Sequence, residues 1–180
     1  MSYEVIDDFI PKIDQQRIIE VLNGWFPWTY NENTIYKDNF LNNKPQFIHS
    51  FCHEYKCEGN QQVFQFIKSI LPFPEWNTHK LLRCKFNLNL PLHNKKIIPP
   101  HLDTDLDGIV YLYYVNDSDG PTRLYPKMKS FNDFRYQKYF PQKIYPKQGR
   151  LIKMPTKVWH TSNIPRKSNR RIVGNFVFTK

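Results

Sequence analysis

His101, Asp103 and His160 are the residues of this chain whose types and spacing best suit chemistry. In His101-Leu102-Asp103 an imidazole and a carboxylate stand two positions apart. On an extended strand such residues point to one face while Leu102 turns to the other. His160, closing Val158-Trp159-His160 on a separate run, offers a third ligand. Two neutral imidazoles and one carboxylate on one side of a metal leave its remaining positions open, the arrangement suited to non-haem iron(II). A His-X-Asp triplet says little alone in a chain with six histidines and ten aspartates, where two polar residues at a strand end are the plain alternative. The supporting elements have to decide.

From Lys80 onward the sequence breaks into short apolar runs separated by turn residues: 81–90, 97–103, 108–115, 122–125, 143–145, 150–154, 158–160 and 171–179. Such spacing predicts an antiparallel sandwich or barrel. Two helices precede it. Ile18, Ile19, Val21 and Leu22 recur with helical spacing, with Asp14 placed to cap the helix and Gly24 to end it. Val63, Phe64, Phe66, Ile67 and Ile70 share one face of a second helix over 61–71, stopped by Pro72 and Pro74. Residues 25–60 read as loops with one strand at 46–51. The expected fold class is α+β, mainly β. A double-stranded β-helix, or jelly-roll, core over 80–180 is supported by an N-terminal helical region over 1–79, in one domain.

A chain of 180 residues with 40% hydrophobic and 16% aromatic content can bury a core. The net charge of +10 and pI near 9.5 admit a polyanionic partner through counterion release. The basic residues are nevertheless scattered, clustering only at Lys95-Lys96 and over 166–171. The first residues lack a basic segment followed by an apolar run, and no stretch approaches the length of a membrane span. A cytoplasmic protein without membrane contact is expected, and a monomer. Three cysteines cannot all pair, so a disulfide framework is not expected.

The motifs taken in order resemble the iron(II)/2-oxoglutarate-dependent oxygenases, in their prolyl 4-hydroxylase-like branch. The resemblance runs through PPHLD, GIVYLYYVNDSDGPTRLYP, YPKQGRLIKMPTKVWHTSNIP and RRIVGNFVF, and the opening VIDDFIPKIDQQRIIEVL is similar to the family's N-terminal strand and helix. It implies that Fe(II), 2-oxoglutarate and O2 act at His101, Asp103 and His160 to hydroxylate a C–H bond of a peptide or amino-acid substrate. It also implies a basic residue about ten positions after the second histidine for the far carboxylate of 2-oxoglutarate. Arg170 and Arg171 both qualify. Strand parity favours Arg171: with it inward, Val173, Asn175 and Val177 also point in, and Ile172, Gly174, Phe176 and Phe178 pack outward. Tyr114 matches a family tyrosine that shares that carboxylate, with Tyr111 and Tyr113 facing the other way, and Asn87 or Asn89 is a further co-substrate contact. The family's Gly-Gly-Glu-Thr turn is here Asp119-Gly120-Pro121-Thr122, and the approach to His101 through PLHNKKIIPP is longer.

Other readings of the same residues exist. Asp103, Asp105 and Asp107 before Gly108 resemble the start of a calcium loop, but its twelfth position is Tyr114 instead of a bidentate glutamate. His49, Cys52, His53 and Cys57, with Cys84, are zinc-ligand types without a paired spacing. Residues 127–147 mix basic and aromatic side chains and suit a lid, a plain loop or a single-stranded nucleic-acid surface. Besides a hydroxylase of a peptide or small molecule, whose groove should have aromatic walls, the alternatives are an oxygenase acting on nucleic acid, with a contiguous basic face, and an inactive jelly-roll binding protein.

Overall fold

The strand at the centre of the molecule is the last one. In the computed structural model, which describes residues 2–32, 45–92, 99–135 and 139–180, Arg171–Thr179 is buried along its whole length. It lies in the middle of a seven-stranded antiparallel sheet. In chain order the strands are β1 Glu4–Ile6, β2 Thr29–Asn31, β3 Gln46–His53, β4 Lys80–Asn89, β5 Gly108–Tyr114, β6 Thr122–Tyr125, β7 Gln142–Ile144, β8 Leu151–Pro155, β9 Trp159–Ser162 and β10 Arg171–Thr179. The large sheet runs β1-β8-β5-β10-β4-β3-β2, and β7-β6-β9 form a second sheet. This is the jelly-roll pair of sheets that the run spacing predicts. The boundary expected at residue 80 does not divide the sheet: β1 pairs with β8, and β3 with β4.

One face of the large sheet is aromatic. Phe176 and Phe178 of β10 join Tyr111, Phe86 and Phe73 in a core shared with Ile18, Leu22 and Ile67 from the helices. Phe73 stacks on Tyr111 at 4.2 Å between ring centroids and meets Phe176 edge-on at 5.1 Å. Each ring of this size buried from water contributes about 1.5–3 kcal/mol. Gly174 makes the packing possible, because a Cβ there would stand 2.7 Å from the Phe176 ring and 2.9 Å from that of Phe86.

Helix α1 spans Lys12–Asn23 and α2 spans Gln61–Ile70. Asp14 does not cap α1. Pro11 holds the cap position, and its carbonyl accepts from the backbone N–H groups of Asp14 and Gln15 at 3.0 Å each, while Asp14 pairs with Arg17 inside the first turn. Proline has the fixed φ that a helix start needs and displaces the cap upstream. Gly24 does end the helix, in extended geometry. Asn60 caps α2 by accepting from the Val63 N–H at 3.1 Å. A five-residue helix, α3, covers Phe131–Arg135. No helix among the described residues is long and apolar enough to cross a membrane.

The cysteine-rich stretch forms a hairpin. β3 extends past residue 51, and Cys52 is joined to Cys57 by a disulfide across a turn in which Glu54 and Tyr55 take positive φ. Cys84, opposite Cys52 on β4, is free and buried. His49 turns into the aromatic core beside Phe26 and Phe51, its Nδ1 3.0 Å from the Pro27 carbonyl. The zinc reading of this stretch therefore loses the Cys52 and Cys57 thiolates, and no metal group forms there among the described residues.

Candidate metal centre

His160 lies on β9 with its side chain buried. Its backbone exchanges two hydrogen bonds with His101, at 2.9 and 3.0 Å, so the two histidines form a single isolated bridge. Among the described residues 99–103 the expected strand is reduced to that bridge. Residues 97 and 98 lie outside the described residues, Pro99 and Pro100 are irregular, and Asp103 sits in a bend. Two consecutive prolines present no N–H to a ladder, so regular pairing begins and ends at His101. The convergence of His101 and Asp103 thus owes less to strand alternation than to what grips Asp103.

That grip comes from β4 and β10. Arg83 donates to the Oδ1 of Asp103 in a close ion pair and to its backbone carbonyl at 3.3 Å, and the Asn175 amide donates to both carboxylate oxygens at 3.3–3.4 Å. The carboxylate is almost fully buried. Burial alone would raise its pKa, but the neighbouring charges of His160, Arg83 and His101 outweigh that and hold it at about 2. Oδ2 faces the Nε2 of His160 at 3.4 Å.

The Nδ1 of His160 lies 3.0 Å from the Val158 carbonyl. A carbonyl can only accept, so Nδ1 carries a proton and Nε2 is the ring nitrogen turned to Asp103. For His101, burial and then the neighbouring His160 push the pKa down to about 3, and its Nδ1 is a buried ring nitrogen with no hydrogen-bond partner. One donor atom from each of the three residues falls within 4.8 Å of the others, and among the described residues this is the one such group. Two imidazoles, one ionised carboxylate and an orphaned ring nitrogen fit a divalent iron well. Asp105 and Asp107 are exposed and stay out of the group. The calcium reading has no second ligand.

Along β10 from the metal group stands Arg171, only 2% exposed. Its Nε donates to the Gly120 carbonyl at 3.0 Å and its Nη2 to the Thr122 hydroxyl at 2.9 Å, and its guanidinium lies over the Tyr114 ring. Among the described residues no acid pairs with it, a costly arrangement for a buried cation that an anion in the site would relieve. Arg170 does not line the cavity. Tyr114 is buried behind Arg171, donating to Thr122 at 2.6 Å, and is not part of the cavity wall. The departure at Asp119-Gly120 has a structural purpose. The Asp119 carboxylate accepts the backbone N–H groups of Arg166, Lys167 and Ser168, and a Cβ at Gly120 would press 2.6 Å from the Asn163 carbonyl. That turn fixes the oxygen that holds Arg171.

The metal group and Arg171 open into one cavity of about 270 Å³. Its wall adds Arg83, Lys85, Asn87 and Asn89 from β4, Gln46 from β3, Leu112 and Val173, and Thr122 and Ser162. The run Arg83-Cys84-Lys85-Phe86-Asn87-Leu88-Asn89 alternates polar and apolar, so β4 turns its apolar residues to the aromatic core and its polar ones to the site. Arg83 and Lys85 are the residues that sequence reasoning passed over, and this alternation is the signal that could have found them; Asn175 was expected to point inward, but without its contact to Asp103. Lys85 is forced well inside, and desolvation lowers its pKa to about 8. No Phe, Tyr or Trp appears among the described wall residues, so the expected aromatic walls are absent there.

No protein-family model matches the sequence, and no curated protein matches it significantly. Solved structures do match the fold. An oxidoreductase of the 2OG-Fe(II) oxygenase family from Burkholderia pseudomallei superposes with a TM-score of 0.70 at 11% identity, covering 98% of this chain and 84% of that one. A prolyl hydroxylase from Trichoplax adhaerens, in complex with a hypoxia-inducible-factor peptide fragment, gives 0.62 at 16% identity over 98% and 83%. An α-ketoglutarate-dependent epimerase of nogalamycin biosynthesis gives 0.64 at 8% identity over 99% and 78%. At these identities the likeness is one of fold: the chain has the jelly-roll architecture of the 2OG-Fe(II) oxygenases.

Proposed function

We propose that this chain is a non-haem iron(II) and 2-oxoglutarate-dependent dioxygenase that hydroxylates a C–H bond of a peptide, amino acid or other small molecule. One observation carries the reading. A His-Asp-His group and a buried arginine lacking an acidic partner share a single cavity, so that a dianion can reach the metal with one end and Arg171 with the other. The fold of the matching structures supports it.

In this reading His101, His160 and Asp103 hold the iron. With its Oδ1 occupied by Arg83, Asp103 offers Oδ2 as a single ligand atom. Arg171 and Thr122 receive the far carboxylate of 2-oxoglutarate, a planar fork matching two oxygens better than an ammonium would. Tyr114 positions both from behind, Leu112 and Val173 flank the methylene groups, and Asn87 completes the co-substrate contacts. Bound iron supplies the oxidising chemistry: one O2 is divided between 2-oxoglutarate, which becomes succinate and carbon dioxide, and the substrate C–H, which becomes C–OH. The protein's own part is geometry and the partial exclusion of water from a polar, half-open cavity. A nucleic-acid substrate would call for a continuous basic face, whereas Arg83, Lys85 and Arg171 point into the cavity.

Anaerobic titration with iron(II) and 2-oxoglutarate should produce the weak visible charge-transfer band of the chelate. Absence of the band in the wild type, or its persistence in a His101→Ala, Asp103→Ala double variant, would sink the proposal. Succinate release in the presence of candidate peptides and amino acids then ranks substrates.

A further inference from the structure

We infer that the substrate carries an anionic group, a carboxylate or a phosphate, close to the oxidised C–H bond, and that Lys85 receives it. The inference rests on the iron and 2-oxoglutarate reading above.

Among the described residues the cavity wall holds three cationic side chains, Arg83, Lys85 and Arg171, against one carboxylate, Asp103. Loading the site does not change that imbalance, because the two positive charges of iron(II) and the two negative charges of 2-oxoglutarate cancel. An excess of two positive charges remains in a partly dehydrated space, where such an excess attracts anions strongly. Two of the cations already have occupations. Arg83 is paired with Asp103, and Arg171 is committed to the far carboxylate of the co-substrate. Among the described residues no acidic side chain pairs with Lys85.

The strand register separates Lys85 from the co-substrate's far end. Lys85 lies opposite Asn175, the residue whose amide holds Asp103, while Arg171 lies opposite Asn89. Four residues along β10 put these positions about 13 Å apart. Lys85 therefore belongs to the metal end of the cavity, where the reacting carbon must lie, and Arg171 to the other end. The wall facing that carbon offers an ammonium and amides instead of aromatic rings. A neutral prolyl peptide would leave that ammonium uncompensated.

The test is calorimetric titration of the protein loaded with manganese(II) and saturated with N-oxalylglycine, an inert analogue of the co-substrate. Three probes are used: N-acetyl-L-proline, its neutral amide and methyl phosphate. At least one anionic probe should bind about tenfold more tightly than the amide, a difference of about 1.4 kcal/mol, and the anion preferred identifies the substrate class. Lys85→Gln should erase the preference and Lys85→Arg should keep most of it, with N-oxalylglycine affinity changing far less in either variant. Equal binding of acid and amide, no binding of either anion at millimolar concentration, an unaltered preference in K85Q, or a parallel loss of N-oxalylglycine would each overturn the inference. If manganese and N-oxalylglycine do not bind at all, the function reading falls separately. The probes are then titrated into metal-free protein, where loss of binding in K85Q supports the anion site, and loss only in Arg171→Gln refutes it.

Discussion

The two faces of β10 are made of the same nine residues and do opposite things. Ile172, Phe176 and Phe178 face the helices and enter an aromatic core, where their worth is packing. Arg171, Val173 and Asn175 face the cavity, where a buried cation and a buried amide are held for something the protein does not itself provide. The first face stabilises the fold. The second spends part of that stability, since a guanidinium without an acidic partner and the orphaned Oδ1 of Asn175 are both costly to bury. Strength on one side permits strain on the other.

The largest effect should come from the aromatic side. Phe176→Ala removes a ring packed against Phe73, Trp76 and Phe86, and urea unfolding should show a loss of about 3–5 kcal/mol. On the opposite face, Arg171→Met should leave the metal-free protein as stable as the wild type or more so, because a buried charge is exchanged for an apolar chain of similar length. Its affinity for 2-oxoglutarate should fall by about 2–5 kcal/mol, the range for truncating a buried charge pair. A variant that unfolds as readily as Phe176→Ala would show that Arg171 is structural and would break the contrast between the faces.

That contrast is largely legible in the sequence. The span 171–179 is evident because Ile, Val and Phe dominate it, broken only by Gly174 and Asn175 between its polar ends, and parity alone selects Arg171 over Arg170. What parity does not report is depth: Tyr114 has the right face but lies behind Arg171, since only the second sheet, through Thr122, fixes where the cavity wall stands. The run into His101 misleads for a different reason. Apolar residues there suggest a strand, but Pro99 and Pro100 remove the donors that a strand needs, and a single bridge to His160 takes its place. The Cys52–Cys57 pairing depends on the left-handed turn at Glu54 and Tyr55, which neither residue type announces. Arg83, the partner of Asp103, was overlooked because a charge twenty positions away acquires its role only through β4 lying beside β10.

Arg83→Met tests that last dependence. Removing it leaves Asp103 in place with Asn175 as its remaining donor, so iron(II) affinity should weaken by about 10–100-fold, the usual effect of deleting a group that orients a metal ligand. Competition against a chromogenic chelator would measure it. The unfolding free energy should move much less than in Phe176→Ala. A change confined to stability would mean that the ion pair is a strap between strands and not part of the site.

The effect that is smallest near neutral pH, and grows only as the pH falls, separates the faces. His101 has a folded-state pKa near 3 because burial and His160 disfavour its charged form, whereas the unfolded chain has the ordinary value near 6.5. Between these limits the unfolded state binds a proton that the folded state does not. The contribution of His101 is therefore fully present above pH 6.5 and is lost as the pH falls toward 3. For the metal-free protein the slope from this residue is at most about 1.4 kcal/mol per pH unit. His101→Gln should flatten the dependence of melting temperature on pH between 6.5 and 4, whereas Phe176→Ala should lower the whole curve and keep its slope. Asp103, held at about 2, adds its own loss only below its unfolded value near 3.8, so the two site residues overlap only at the acid end of the His101 window. Equal slopes in wild type and His101→Gln would place the acid sensitivity elsewhere and remove the evidence that the cavity face bears a buried neutral imidazole.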